Sequence, residues 1–186
     1  MNNVETMDLT QTMTERAEKI QAKVSLVKDF EEIFTHALAV TKEQGGKTLA
    51  APGLDPAAEE RLAILCTEAG IELLRPPLRD HLENIHTGLT LADWGVAETG
   101  TLVVNSADED LRIATMLSET HVAILPRWAI HPDMDSLAEQ MDGILKADPA
   151  YLAFISGPSR TADIERVLAI GVHGPRELHI LIMDQE

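Results

Sequence analysis

At 186 residues, with 45% hydrophobic content, the chain is long enough for one compact domain with a buried core. Aromatic residues make up only 3%, so that core must be aliphatic. The formal charge of −16 repels phosphate backbones at long range and argues against general nucleic-acid binding. It does not exclude a small anion site, because local donors can override the mean field. No stretch approaches the roughly 20 apolar residues that span a bilayer. The polar, acidic start of the chain lacks a basic segment followed by an apolar one, so no secretory signal is read there and a cytoplasmic protein is expected. The single cysteine, Cys66, cannot form an internal disulfide or supply the four thiolates of an iron–sulfur cluster. No resident cofactor is expected.

In chain order, the first 45 residues read as helix. Residues 1–28 form a polar extension of weak periodicity, and the domain proper is expected over 29–186. Phe30, Ile33, Phe34, Ala37 and Leu38 make an amphipathic stripe that stops at Gly45-Gly46. Lys47–Ala51 is a strand candidate. Asp55-Pro56 opens a helix, with Asp as N-cap and Pro at the first helical position, and Gly70 closes it. Ile71–Leu74 reads as a strand and Leu78 to Ile85 as a short helix. Strands follow at Gly95–Glu98, Thr101–Asn105 and His121–Leu125, with a helix over Leu111–Leu117. Met134, Leu137, Ala138, Met141 and Leu145 mark a further amphipathic helix. Tyr151–Ser156 is an apolar run suited to a buried parallel strand. Ala162–Ile170 is expected to be helical and Glu177–Met183 to form the last strand. Strands alternating with helices indicate an α/β fold, a mostly parallel sheet sandwiched by helices.

Three glycine-punctuated segments can carry chemistry. In Gly88–Thr101, the turn Glu98-Thr99-Gly100-Thr101 sits between two strand candidates, where Gly100 can take positive φ and present Glu98 and two hydroxyls. The plain alternative is a hairpin of solvated polar residues. In Ile155–Glu165, a strand runs through Gly157-Pro158 towards a helix. A helix N-terminus there, with Ser159, Arg160 and Thr161, suits a carboxylate or phosphate at the carboxyl end of a strand. The alternative is an ordinary N-cap with Arg160 paired to a surface acid. In Gly171-Val172-His173-Gly174-Pro175, His173 is either a proton carrier or a turn residue bonded to nearby backbone. His81 and His86 point apart on a helix, so no metal site is expected. Arg112 can face the same cleft or pair with Glu109 or Glu119. Cys66 on an apolar helix face reads as an inert core thiol.

Together the segments Gly88–Thr101, Gly157–Glu165 and Gly171–Pro175 resemble the LUD-domain family, in its lactate utilization protein C branch, over about residues 30–183. The resemblance implies a Rossmann-like fold of the NagB/RpiA/CoA-transferase class and a role in oxidation of L-lactate to pyruvate. It also implies iron–sulfur lactate-utilization proteins as partners. Glu98 and His173 are the expected proton acceptors. Thr99, Gly100, Thr101, Gly157, Ser159, Arg160 and Thr161 are expected to hold a small anionic metabolite in a strand-end cleft. Two other readings stay open. One is a stand-alone enzyme like a CoA transferase, with Glu98 as nucleophile, or like a sugar-phosphate isomerase. The other is a regulatory or assembly module.

Overall fold

A computed structural model describes residues 3–147, 151–161, 169–170 and 174–184. Helix α1 (Asn3–Lys19) is followed by strand β1 (Lys23–Val27), so the chain before residue 29 is not helical throughout. Asp29 caps α2 (Phe30–Glu43) by accepting from the Glu32 N–H, and the stripe of Ile33, Phe34 and Ala37 is buried. Next come β2 (Thr48–Ala50) and α3 (Pro56–Ala69). The Asp55 carboxylate accepts from the backbone N–H groups of Ala57 and Ala58 at 2.9 and 3.0 Å, the cap its sequence foretells.

β3 (Glu72–Leu74) leads to a single 3-10 turn, Leu78–His81, which replaces the longer helix expected up to Ile85. β4 (Thr87–Leu91), β5 (Trp94–Val96) and β6 (Thr101–Asn105) precede α4 (Glu109–Leu117) and β7 (Thr120–Pro126). The remaining elements are β8 (Ile130–His131), α5 (Ala138–Ala147), β9 (Leu152–Ile155), β10 (Arg160–Thr161), β11 (Ala169–Ile170) and β12 (Glu177–Met183). Among the described residues, no helix is long and apolar enough to cross a membrane.

Six strands form one parallel sheet in the order β1-β12-β7-β4-β2-β3. Its central strands are buried on both faces, which is why Val122–Leu125 and Leu178–Ile182 are almost wholly apolar. On one face, α2 and α3 set Ile33, Phe34, Leu62 and Cys66 against Leu49, Leu89, Val122, Ile124 and Leu181. The opposite face is covered differently. Met13 and Ala17 of α1 join Leu102 and Val104 of β6 over Ala123, Leu125, Ile180 and Ile182. Beside them, Ile113 and Ala114 of α4 cover Ala50 and Leu74.

A second, four-stranded sheet, β8-β5-β6-β9, supplies β6 to that layer. Here the structure corrects the sequence reading of Tyr151–Ser156. β9 is not a buried parallel strand. It pairs antiparallel with β6 at the edge of the small sheet, and Phe154 is 48% exposed. A run of apolar residues has the same appearance whether one face or both are covered, so periodicity could not separate the two cases. The helix expected over Ala162–Ile170 is corrected at its end, where Ala169–Ile170 pairs antiparallel with Arg160–Thr161; residues 162–168 lie outside the described ones.

Between the two layers lies His121, which is 1% exposed; its Nε2 shares a 2.8 Å hydrogen bond with Thr90 Oγ1. Its Nδ1 and the Oγ of Ser118 are buried with no hydrogen-bond partner among the described residues. Burial pushes the His121 imidazolium down to a pKa of about 4 from an ordinary 6.5. His36 and His179, joined Nε2 to Nδ1 at 2.9 Å, are also lowered, chiefly by burial. The folded state therefore binds fewer protons than the unfolded one below the ordinary histidine value. This stabilisation is fully present above pH 6.5 and is lost as pH falls towards 4, by roughly 3 kcal/mol for His121 alone. Urea unfolding at stepped pH should show stability falling across that window, and His121→Leu should flatten the slope.

Candidate functional site

The two bends singled out in the sequence meet. Gly100 has φ of 67°, and its N–H donates to Val96 O at 2.9 Å, closing the hairpin between β5 and β6. Inside it, Thr99 Oγ1 donates to Thr101 Oγ1 at 2.8 Å, and Thr101 Oγ1 is 2.7 Å from Ser156 Oγ, across the β6–β9 pairing. Ser156 leads directly into the second bend, where Gly157 has φ of 78°. The Ser159 N–H donates to Pro175 O at 2.8 Å, and the Ser159 side chain packs at Gly174. Residues 160–161 then run as β10, and Arg160 is exposed. Glu98 is exposed at the hairpin tip, where its N–H donates to Pro132 O at 3.0 Å. His173 lies outside the described residues.

Both bends rest on the end of α1. A Cβ on Gly100 would lie 2.3 Å from Ala17 N, and one on Gly157 would lie 2.3 Å from Ile20 O and 3.1 Å from Arg160 Nη2. This contact also fixes which end of the molecule the bends occupy. Ile20 lies just before β1 and Pro175 just before β12, so the bends sit at the amino ends of the parallel strands. The expected placement at the carboxyl ends is corrected, because β5 turns back across the sheet after β4. At its start Gly95 lies against Leu125, near the carboxyl end of β7. Among the described residues, the helix end beside the bends is the carbonyl-bearing end of α1; the N-terminus of the helix expected from Ala162 falls on residues outside the described ones.

The donors available there are hydroxyls and guanidinium groups. Elsewhere arginines are committed: Arg61 to Glu31, Arg75 to Glu59, Arg79 to Glu109, Arg127 to Asp184 and Arg176 to Glu119. Arg112 donates to the carbonyls of Ser106 and Ala107 and stacks over Tyr151 at 5.9 Å, rather than reaching Glu109, Glu119 or the bends. Arg16 and Arg160 form no ion pair among the described residues, although the chain has 31 acids to 15 bases. The exposed Arg160 beside three linked hydroxyls makes this a candidate anion-binding surface. Ser156 and Arg16 were not foreseen. Ser156 is visible only once β9 is known to pair with β6, and Arg16 lies on a helix whose weak periodicity conceals its packing.

Other polar features point elsewhere. A cleft of about 500 Å³ at the amino ends of β2 and β3 is lined by Lys47, Glu72, His81, Glu83, His86 and Glu119, among others. Its three carboxylates disfavour an anion. Among the described residues, no group of three His, Cys, Asp or Glu side chains is arranged to hold a metal ion. Cys66 is buried, and burial pushes its thiol pKa up to about 11. It is no thiolate at neutral pH.

Gly100→Ala tests the close approach. The new methyl would need a left-handed backbone and would strike the Ala17 backbone, so a loss of about 2–4 kcal/mol is expected in denaturant unfolding. Gly143→Ala, on α5 where a Cβ meets nothing within 4 Å, should leave stability unchanged or slightly raised.

The sequence profile of the LUD domain matches residues 10–183. Lactate utilization protein C of Halalkalibacterium halodurans is 37% identical over 114 residues, covering 58% of this chain and 49% of that protein. The protein of the same name from an Exiguobacterium species is 39% identical over 103 residues, covering 52% and 44%. The chain spans about half the length of the curated relatives it matches. A crystal structure of a DUF162 family protein from Deinococcus radiodurans superposes with a TM-score of 0.66 at 17% identity, covering 96% of this chain and 98% of that one, a likeness of fold. With the profile spanning both bends, the α1 contact and the whole parallel sheet, the chain belongs to the LUD domain family, among relatives named for lactate utilization.

Proposed function

We propose that the chain is a subunit supporting oxidation of L-lactate to pyruvate together with iron–sulfur partner proteins, and that it binds a small carboxylate at the paired bends. The observation that carries this reading is the meeting of the Glu98–Thr101 and Gly157–Thr161 bends, with Arg160 beside Gly157 and without an ion pair among the described residues. Arg160 would clamp the carboxylate through its forked N–H groups, and Thr99, Thr101, Ser156 and Ser159 would orient it by hydrogen bonds. Gly100 and Gly157 keep the backbone close, and the pairing of residues 160–161 with 169–170 fixes the strand that carries Arg160. Glu98, exposed at the hairpin tip, or His173 would take the hydroxyl proton.

Conversion of lactate to pyruvate removes two electrons and two protons, one from the hydroxyl and one with the C–H bond. A buried thiol with a pKa near 11 is no electron acceptor for that step, and one cysteine cannot build a cluster. The electrons must pass to a partner or to a bound cofactor, and the proposal assigns them to the iron–sulfur partners, which makes the chain a subunit and not a complete oxidase.

Reconstitution tests this directly. The three lactate-utilization proteins are combined, and each is left out in turn while lactate-dependent dye reduction is followed. Activity should need this chain, and the chain alone should give none. In the complete mixture Arg160→Gln should lower activity at least about tenfold with an unchanged circular dichroism spectrum. Lactate oxidation by the chain alone would overturn the subunit reading. Full activity in Arg160→Gln would overturn the site.

A further inference from the structure

The small sheet ends in an open edge. β9 pairs with β6 on one side, and no described strand lies on the other. The direction of its backbone groups follows from the ladder. The Ser106 N–H donates to Tyr151 O at 2.7 Å, which sets the alternation of an antiparallel pair. Ala153 and Ile155 therefore bond to Val104 and Leu102, and the N–H and C=O groups of Leu152 and Phe154 point away from β6. The far side of β6 agrees. Val103 O accepts from the Asp93 N–H at 3.0 Å, and the Asn105 N–H donates to Asp93 Oδ2 at 2.6 Å, both on the side of β5.

An unpaired row of backbone groups is a template for another strand, and folded proteins guard such edges with charge, proline or brevity. The other sheet edges among the described residues are guarded. β1 begins with Lys23 and β3 with Glu72, whereas β8, β10 and β11 have two residues each. β9 reads Leu152-Ala153-Phe154-Ile155, with no charge and no proline, and Phe154 is half exposed.

The strand is complementary to itself. Leu152 and Phe154 lie on the face of Val103, the register partner of Phe154, where Val96 and Leu137 are buried. A two-fold axis at Ala153 sets Leu152 of one copy opposite Phe154 of the other. In that register every outward N–H and C=O of the two residues meets its counterpart, and a leucine packs on a phenylalanine on each side of the axis. A shift of one residue would oppose outward groups to inward ones. The seam also carries no charge, so two chains of formal charge −16 can meet along it without bringing strand carboxylates together. We propose that β9 is the contact between two copies of this chain, joining their four-stranded sheets into one antiparallel sheet. The proposal rests on backbone geometry and is independent of the role given to the paired bends.

The test follows the whole chain by sedimentation velocity from about 5 to about 500 µM in about 150 mM salt, where charge repulsion is screened beyond about 8 Å. So short a seam belongs with small, transient interfaces, and a dissociation constant on the order of 10–100 µM is expected. Amide exchange locates the contact on the unmodified protein. Between the lowest and highest concentrations the Leu152 and Phe154 amides should slow at least about threefold by mass action, while those of Ala153 and Ile155 stay unchanged. Phe154→Pro removes an outward N–H, leaves the β6 ladder intact and should abolish the dimer. Phe154→Lys should weaken it at least about tenfold. A monomer at every concentration overturns the proposal, even with those two amides protected, since the edge is then covered within one chain. So does a dimer in which they exchange freely, since the contact then lies elsewhere.

Discussion

The absence of two β-carbons governs the arrangement of this molecule. At Gly100 and Gly157 the backbone of two bends lies so close to the end of α1 that any side chain atom would collide with main-chain atoms at 2.3 Å. That contact ties together three parts of the chain far apart in sequence. It seats α1 on the parallel sheet, turns the small sheet back over the same face, and joins the hydroxyls of Thr101 and Ser156. The surface beside them is thus a product of packing and not of a single motif.

Electrostatics explains why that surface stands out. An excess of carboxylates captures the arginines within reach, so an uncommitted guanidinium is rare. Arg61, Arg75 and Arg79 are each held by a glutamate on a solvent-exposed face, where such pairs add little stability. Arg160 lies at the second bend, its Nη2 3.1 Å from a Cβ position on Gly157, and neither it nor Arg16 forms an ion pair among the described residues.

Much of the fold could be read from local chemistry. The Asp55-Pro56 start of α3, the stripe on α2 and the strands Thr101–Asn105 and Glu177–Met183 follow from caps and periodicity that tertiary contacts reinforce. β4 was concealed because Gly88 and two threonines interrupt its apolar pattern; Gly88 stands where Ala114 O of α4 comes within 2.2 Å of a Cβ position. The polarity of the site was illegible for a different reason. Whether a strand after β4 continues with the sheet or folds back across it is decided by contacts such as Gly95 on Leu125, which leave no trace in spacing. The residues of the two bends were visible one by one; their neighbours Ser156 and Arg16 depended on long-range pairing.

The sealed thiol of Cys66 gives the chain a built-in reporter. It lies 1% exposed beneath α3, in the apolar layer between that helix and the sheet, and it stays protonated far above neutral pH. Alkylating reagents attack the thiolate, so the native chain is inert to them, and labelling proceeds only through openings that lift α3 from Leu49 and Leu89. With one cysteine in the sequence, the labelling rate reads the breathing of that single layer without background from any other.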